Sequence, residues 1–266
     1  MPYRTEIATP AGTSPRTLLA GGWRGEVGTR NACLSTLSSD ALSLLKPYLT
    51  ETALREGSVL WGMTKPSSDV YFPTSGLISI VLPVSDGAFV EVGSICSQAA
   101  VGSFFDPSDS YTQGVVRIGG RCICIPAQKL FLAAKQNSEI ENLMNYCRHW
   151  ILKQAQQMAV CNAVHAADAR FCRWLFQACE RMDTDTVSVT QEMIASLLGI
   201  RRTTVTLIAQ QCQFDGLIQY RRGKIAVLDR ARLRAAACEC CNVLARQHWP
   251  STQMLDANAS KSCEQS

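Results

Sequence analysis

The chain has 266 residues, a formal net charge of +4, and 47% hydrophobic against 18% charged residues. That length exceeds the usual single-domain size and that apolar content suffices for two buried cores, which excludes both a disordered polymer and a lone small module. The net charge is too mild to indicate a nucleic-acid partner by itself, so any such function must rest on local clustering of cations.

In chain order, residues 1–34 mix Arg4, Glu6, Arg16, Arg24, Glu26 and Arg30 with glycines and prolines, with no apolar core beyond Leu18-Leu19-Ala20. This predicts a disordered arm rather than an export signal or a membrane span, and hence a cytoplasmic protein with reduced thiols. The 13 cysteines are therefore not read as a disulfide framework.

Residues 35–126 carry short β-rich runs, among them Val59-Leu60-Trp61, Val70-Tyr71-Phe72, Leu77 to Leu82, Phe89 to Val92 and Arg121 to Ile125, punctuated by glycines. The rhythm predicts a β-roll or jelly roll. Cys122 and Cys124 alternate on one run and face the same side, where small buried groups are expected rather than metal ligands.

Over residues 127–160 the period becomes helical. Ile140, Leu143, Met144, Cys147, Trp150, Ile151 and Met158 recur at three- and four-residue spacing, and neither proline nor glycine interrupts Ala127 to Phe176. A long helix with such a seam needs a partner, and a two-fold copy of itself is the economical one. Ile140, Leu143, Met144, Cys147, Ile151 and Met158 are thus expected at a homodimer interface; the alternative is that the stripe packs on the chain's own roll.

The segment 161–245 is the most informative. Thr190 is a good N-cap, Glu192 lies in the first turn, and Met193, Ile194, Leu197 and Leu198 follow at helical spacing. Gly199 permits a sharp turn, and Val205, Ile208 and Ala209 restart an apolar stripe one helix later. Arg201, Arg202, Thr203 and Thr204 open that second helix and must point outward. In a helix-turn-helix the second helix enters the major groove N-terminus first, where arginine contacts guanine bidentately and a threonine methyl touches thymine. Runs at Gly216–Tyr220 and Lys224–Leu228 flank Arg221-Arg222-Gly223, which predicts a two-stranded wing with a cationic tip. Between Arg201 and Lys224 five cations face Asp215 alone.

These residues resemble the Crp/Fnr superfamily of bacterial transcription regulators over about residues 35 to 245. The resemblance rests on TQEMIASLLGIRRTTVT at Thr190–Thr206, GLIQYRRGKIAVLD at Gly216–Asp229 and CNAVHAADARFCRWLF at Cys161–Phe176. It implies an α+β fold: an N-terminal β-roll like a cyclic-nucleotide-binding domain, a long dimerisation helix and a C-terminal winged helix-turn-helix. It also implies that Arg202, Thr203, Thr204 and Thr206 read bases, and that Thr190, Arg201, Arg221, Arg222 and Lys224 hold phosphates. The implied partners are double-stranded DNA with an inverted-repeat operator, a second copy of the chain, and RNA polymerase, with no membrane. Members that bind cyclic nucleotides use a glycine–glutamate pair and an arginine–serine pair; the corresponding stretch, Ser97 to Gln113, carries neither the glutamate nor the arginine. Losing that arginine removes the charge-assisted contact to phosphate, so no cyclic nucleotide is expected.

No other chemistry emerges. There is no G-x-S-x-G, G-x-x-x-x-G-K-[ST], H-E-x-x-H or G-x-G-x-x-G, and no enzyme or cofactor is expected. Only Cys33 lies in the arm, too few for an iron–sulfur cluster there. Cys238-Glu239-Cys240-Cys241, with His248 and Cys263 near in sequence, lacks a second spaced pair, so no metal is expected. His165 and Asp168, three apart, read as a surface pair. A small-molecule or protein-binding module whose helix-turn-helix no longer reads DNA is the rival to a DNA-binding regulator.

Overall fold

The computed structural model describes residues 31–62, 68–84, 89–102 and 112–245. The expected arm up to residue 30 and tail from 246 lie outside the described residues. Residues 31–34, by contrast, belong to the core: the Asn31 amide donates to the Pro73 and Ala99 carbonyls at 2.8 and 3.1 Å, and Cys33 and Leu34 are buried.

A short helix α1 (Ser39–Leu45), capped by the Ser38 hydroxyl, leads into eight strands: β1 (Thr50–Leu54), β2 (Val59–Trp61), β3 (Asp69–Pro73), β4 (Leu77–Pro83), β5 (Phe89–Ile95), β6 (Val101–Gly102), β7 (Gln113–Ile118) and β8 (Gly120–Pro126). They pair antiparallel into two sheets, ordered β1-β8-β3-β6 and β2-β7-β4-β5. Phe72, Ile78, Ile80, Val116, Ile123 and Ile125 are buried in the core that the two sheets share. This is the roll that the run-and-turn rhythm predicts.

Residues 127–164 do not form one helix, despite the absence of proline and glycine. Helix α2 (Ala127–Ala134) stops, and α3 (Ser138–Val164) starts at Asn137, whose side chain accepts from the Glu139 and Ile140 N–H groups at 2.9 and 3.3 Å. The side-chain cap offers the backbone an alternative to continued helix, and this decides the break. Glu139 reinforces it by accepting from the Ser38 backbone and hydroxyl, both at 2.9 Å.

The seam of α3 faces the roll. Ile140, Leu143, Met144, Cys147 and Ile151 lie in the same core as the strands, and Met158 is buried beside Leu77 and Glu91. The six residues expected at a subunit interface therefore sit inside the chain's own core. What α3 leaves outward is a different apolar row: Leu152, Val160 and Val164, which are 54%, 54% and 66% exposed, with Ala159 and Ala163.

After a two-residue extended break at His165 and Ala166, α4 (Ala167–Met182) runs into a C-terminal head. The head comprises β9 (Thr186–Ser188), α5 (Gln191–Leu198), α6 (Arg202–Phe214), β10 (Ile218–Arg221), β11 (Lys224–Val227), α7 (Arg230–Ala236) and α8 (Cys240–Ala245). Its core gathers Phe171, Leu175, Ile194, Leu198, Val205, Ile218 and Ile225, together with Leu77 and Cys96 from the roll. Among the described residues, no helix is long and apolar enough to cross a membrane.

Candidate nucleic-acid interface

Helix α5 begins at Thr190, whose hydroxyl oxygen accepts from the Met193 N–H at 3.1 Å. Accepting that bond leaves the Thr190 O–H free to donate outward. Helix α5 ends at Gly199, whose φ of 62° is the left-handed cap that closes a helix tightly. Two residues later α6 starts, so the two helices cross at once, packing Ile194, Leu197 and Leu198 around Val205 and Ala209.

With its stripe turned inward, α6 presents its first turn to solvent. Arg201, Arg202 and Thr203 are exposed and Thr204 is half-buried. The Arg202 side chain is 68% exposed and, among the described residues, has one carboxylate in range, Glu192 at 4.0 Å. So exposed a pair contributes little. Thr206 is differently placed: its hydroxyl lies 2.8 Å from Gln191 Oε1 and 3.1 Å from the Arg202 carbonyl. With one hydrogen to give, it ties α6 to α5 or to its own helix.

Strands β10 and β11 form the predicted hairpin, and β9, which the sequence reading did not foresee, pairs with β11 to complete a three-stranded sheet. Arg221 pairs with Lys224 across a two-residue turn in which Arg222 and Gly223 have φ of 49° and 74°. Both central residues in the left-handed region is the turn that matches the twist of a hairpin. Glycine adopts it freely; arginine does so at a cost of about 1–2 kcal/mol. Arg221, Arg222 and Lys224 are all exposed.

Sequence reasoning missed two residues that position this surface. The guanidinium of Arg170 on α4 is buried and donates to the Leu198 carbonyl at the end of α5 (3.1 Å) and to Asn162 on α3. It thereby satisfies an orphan carbonyl at the end of α5 and links that helix to α3. Gln191 holds Thr206 as described. An arginine inside the apolar stripe of CNAVHAADARFCRWLF is the signal that could have found the first.

The head is also seated on the roll. The Ser196 hydroxyl donates to the Phe89 carbonyl at 2.7 Å, and Arg181 donates to the Ser94 hydroxyl at 2.9 Å. Beneath this seam Glu91 is fully buried and accepts from the Ser79 hydroxyl. Burial pushes its carboxyl up to about 7, countered in part by the Ser79 bond and by the charges of Arg117, Arg181 and Arg173.

His165 does not pair with Asp168, which accepts from the Ala169 N–H instead. It faces the Cys238-Glu239-Cys240 turn, and it and Cys161 join Cys238 and Cys240 in one cluster. His248 and Cys263 lie outside the described residues.

Residues 169–236 match the family model described as the Crp-like helix-turn-helix domain. No curated protein matches the chain. Among solved structures the chain is similar to a putative Crp/Fnr-family transcriptional regulator from Eubacterium rectale at 17% identity, covering 78% of this chain and 98% of that one with a TM-score of 0.63. FixK2 from Bradyrhizobium japonicum is also 17% identical, with 71% and 98% covered and a TM-score of 0.62. The c-di-GMP-responsive regulator CLP from Xanthomonas campestris is again 17% identical, with 72% and 100% covered and a TM-score of 0.60. Residues 169–236 are a Crp-like helix-turn-helix domain, carried in a chain that has the fold of the Crp/Fnr-family transcription regulators.

Proposed function

We propose that the chain is a sequence-specific DNA-binding transcription regulator that acts as a homodimer and not as an enzyme. The observation that carries this reading is the placement of exposed Arg201, Arg202, Arg221, Arg222 and Lys224 at the first turn of α6 and the tip of the β10–β11 hairpin of a Crp-like head. These are the two parts of a winged head that meet a duplex. Arg202, Thr203 and Thr204 read base edges, while Thr190, Arg201, Arg221, Arg222 and Lys224 contact phosphates. Thr206 is assigned to bracing the two helices rather than to base reading, because its hydroxyl is engaged within the head.

For the dimer we propose the outward row of α3, with Leu152, Ala159, Val160, Ala163 and Val164 meeting their two-fold copies. An exposed apolar stripe at helical spacing seeks burial, and the opposite face of the helix is already occupied. RNA polymerase is the further partner of a regulator so bound, and the cytoplasm is where it would act. The roll carries no arginine between Ser97 and Gln113, and no cyclic nucleotide is assigned to it; residues 103–111 lie outside the described ones.

Selection of bound fragments from random DNA tests the reading. The expected product is an inverted repeat with half-sites about one helical turn apart. Absence of any enriched motif would remove the DNA-binding assignment, and a motif without a dyad would remove the dimer.

A further inference from the structure

Where α3 ends, four side chains from two distant parts of the chain converge. Cys161 lies in the last turn of α3 and His165 is its C-terminal cap, four residues on and on the same face, with the His165 N–H closing onto the Cys161 carbonyl at 3.1 Å. Cys238 lies in the turn between α7 and α8 and Cys240 opens α8, the two flanking Glu239, and the Cys241 N–H closes this turn onto the Cys238 carbonyl at 3.1 Å. The four ligand atoms all lie within 4.8 Å of one another. Cys161 Sγ is 3.5 Å from Cys238 Sγ, and Cys240 Sγ is 3.6 Å from His165 Nδ1.

Those separations have a chemical meaning. Around a tetrahedral Zn²⁺, with Zn–S of about 2.3 Å and Zn–N of about 2.0–2.1 Å, ligand atoms stand about 3.5–3.8 Å apart. These two pairs already have that spacing, and since no pair is wider than 4.8 Å the contraction needed is at most about 1 Å.

The surroundings point the same way. His165 turns Nδ1 to the cluster and Nε2 to the Glu239 carboxylate at 3.0 Å, the outer partner that fixes the tautomer of a metal-bound histidine. Gln157 donates an N–H to Cys240 Sγ at 2.9 Å, a bond that favours thiolate. Three thiolates and one neutral imidazole around a divalent ion leave one net negative charge. Arg173, buried with no hydrogen-bond partner at Nε, supplies a cation whose field acts on both Cys161 and Cys238.

We propose that Cys161, His165, Cys238 and Cys240 form a closed structural site for one Zn²⁺, which clamps the C-terminal end of α3 to the α7–α8 turn and so fixes how the head leaves that helix. All four positions are protein ligands, so no open position remains for catalysis. Binding displaces the three thiol protons to solvent. The proposal does not depend on whether the head reads DNA.

The test uses the full chain, purified with a thiol reductant and without chelator. Elemental analysis is expected to give about one zinc per chain, the stoichiometry of a closed four-ligand site. Adding Co²⁺ to the metal-stripped, reduced protein should produce the thiolate-to-cobalt charge-transfer band and the visible bands of tetrahedral Co²⁺, both bleached by Zn²⁺. Cys240→Ser and His165→Ala should abolish stoichiometric binding, whereas Cys124→Ser, outside the cluster, should retain it. Glu239→Gln keeps all four ligands and should weaken zinc affinity about 10- to 100-fold. Because the wild-type cobalt titration needs no variant, misfolding of one cannot obscure the outcome. Absence of the cobalt spectrum, a spectrum indifferent to Cys240 and His165, or a Cys161–Cys238 disulfide in place of metal would each overturn the assignment.

Discussion

Arg202 sits at the first position of α6 and, among the described residues, its side chain is held by nothing stronger than an exposed carboxylate at 4.0 Å. Its replacement by alanine should leave folding within about 0.5 kcal/mol of wild type, as for most exposed positions. Bound to its preferred site, Arg202→Ala should lose roughly 1–3 kcal/mol and relax selectivity at one base pair per half-site. A binding profile across all four bases at each position checks this; uniformly weaker binding with an unchanged profile would make Arg202 a phosphate contact. Arg222 offers the converse case, since its left-handed backbone suits asparagine or glycine better. Arg222→Asn should stabilise the head by a few tenths to about 1 kcal/mol while flattening the salt dependence of DNA binding by about one phosphate. A thermal melt and a salt titration of the same variant read both effects. At Glu91 the direction is set by pH. Its carboxyl is raised from the ordinary 4.5 to about 7, so its contribution to stability is full below about 4.5 and is lost as pH rises through about 7. The range amounts to about 3 kcal/mol. Glu91→Gln should therefore gain stability relative to wild type as the pH is raised across that window, measured by denaturant unfolding at a series of pH values; a constant difference would show that Glu91 titrates normally.

At the scale of elements, the parts that read directly from the sequence are those whose burial pattern is local. Helices α5 and α6 follow from Thr190, Gly199 and the stripe through Val205, and the hairpin follows from two alternating runs around Arg222-Gly223. The break at Asn137 is less visible because a side-chain cap, not a proline, ends the helix, and the same residue types occur inside helices. The direction in which α3 faces was illegible for a different reason. A seam of apolar residues states that something covers it, not what, and here the chain's own roll covers Ile140 to Ile151. Two neighbouring substitutions separate these faces. Ile151→Ala should cost about 2–4 kcal/mol of folding stability, as for a core truncation. Leu152→Glu, one position along and 54% exposed, should fold normally and shift the protein from dimer to monomer in light scattering. If Leu152→Glu remains fully dimeric, the subunits meet elsewhere. The thiol–imidazole cluster escaped the sequence reading because its halves lie more than seventy residues apart. Cys161 and His165 stand four apart inside an ordinary helical run, and Cys238 and Cys240 have no second spaced pair near them in sequence.

Across the whole molecule, head and roll meet through polar contacts at β5. Ser196 reaches Phe89, Arg181 reaches Ser94, and the Ser94 N–H donates to Gln154 on α3 at 3.2 Å. A change in the β4–β5 half of the roll is thereby placed to act on α5, the helix packed against α6. Millimolar cyclic nucleotide should nevertheless neither raise the melting temperature nor change DNA affinity, because a ligand selective for the native state must stabilise it by mass action. A clear thermal shift would restore that ligand class.

Leu77 opens strand β4 and Cys96 follows directly after strand β5, yet their side chains are buried in the core of the head. The head is therefore not a detachable cartridge. Residues 167–245 expressed alone would carry a hole where two foreign side chains had been, with Trp174 left beside it. A chimera that grafts this head onto the roll of a different chain would inherit the same hole unless the graft also supplies a leucine and a small thiol-sized side chain from the new host's strands. The border at which this protein can be cut and rejoined runs across one end of the β4–β5 pair, not along the chain between two helices.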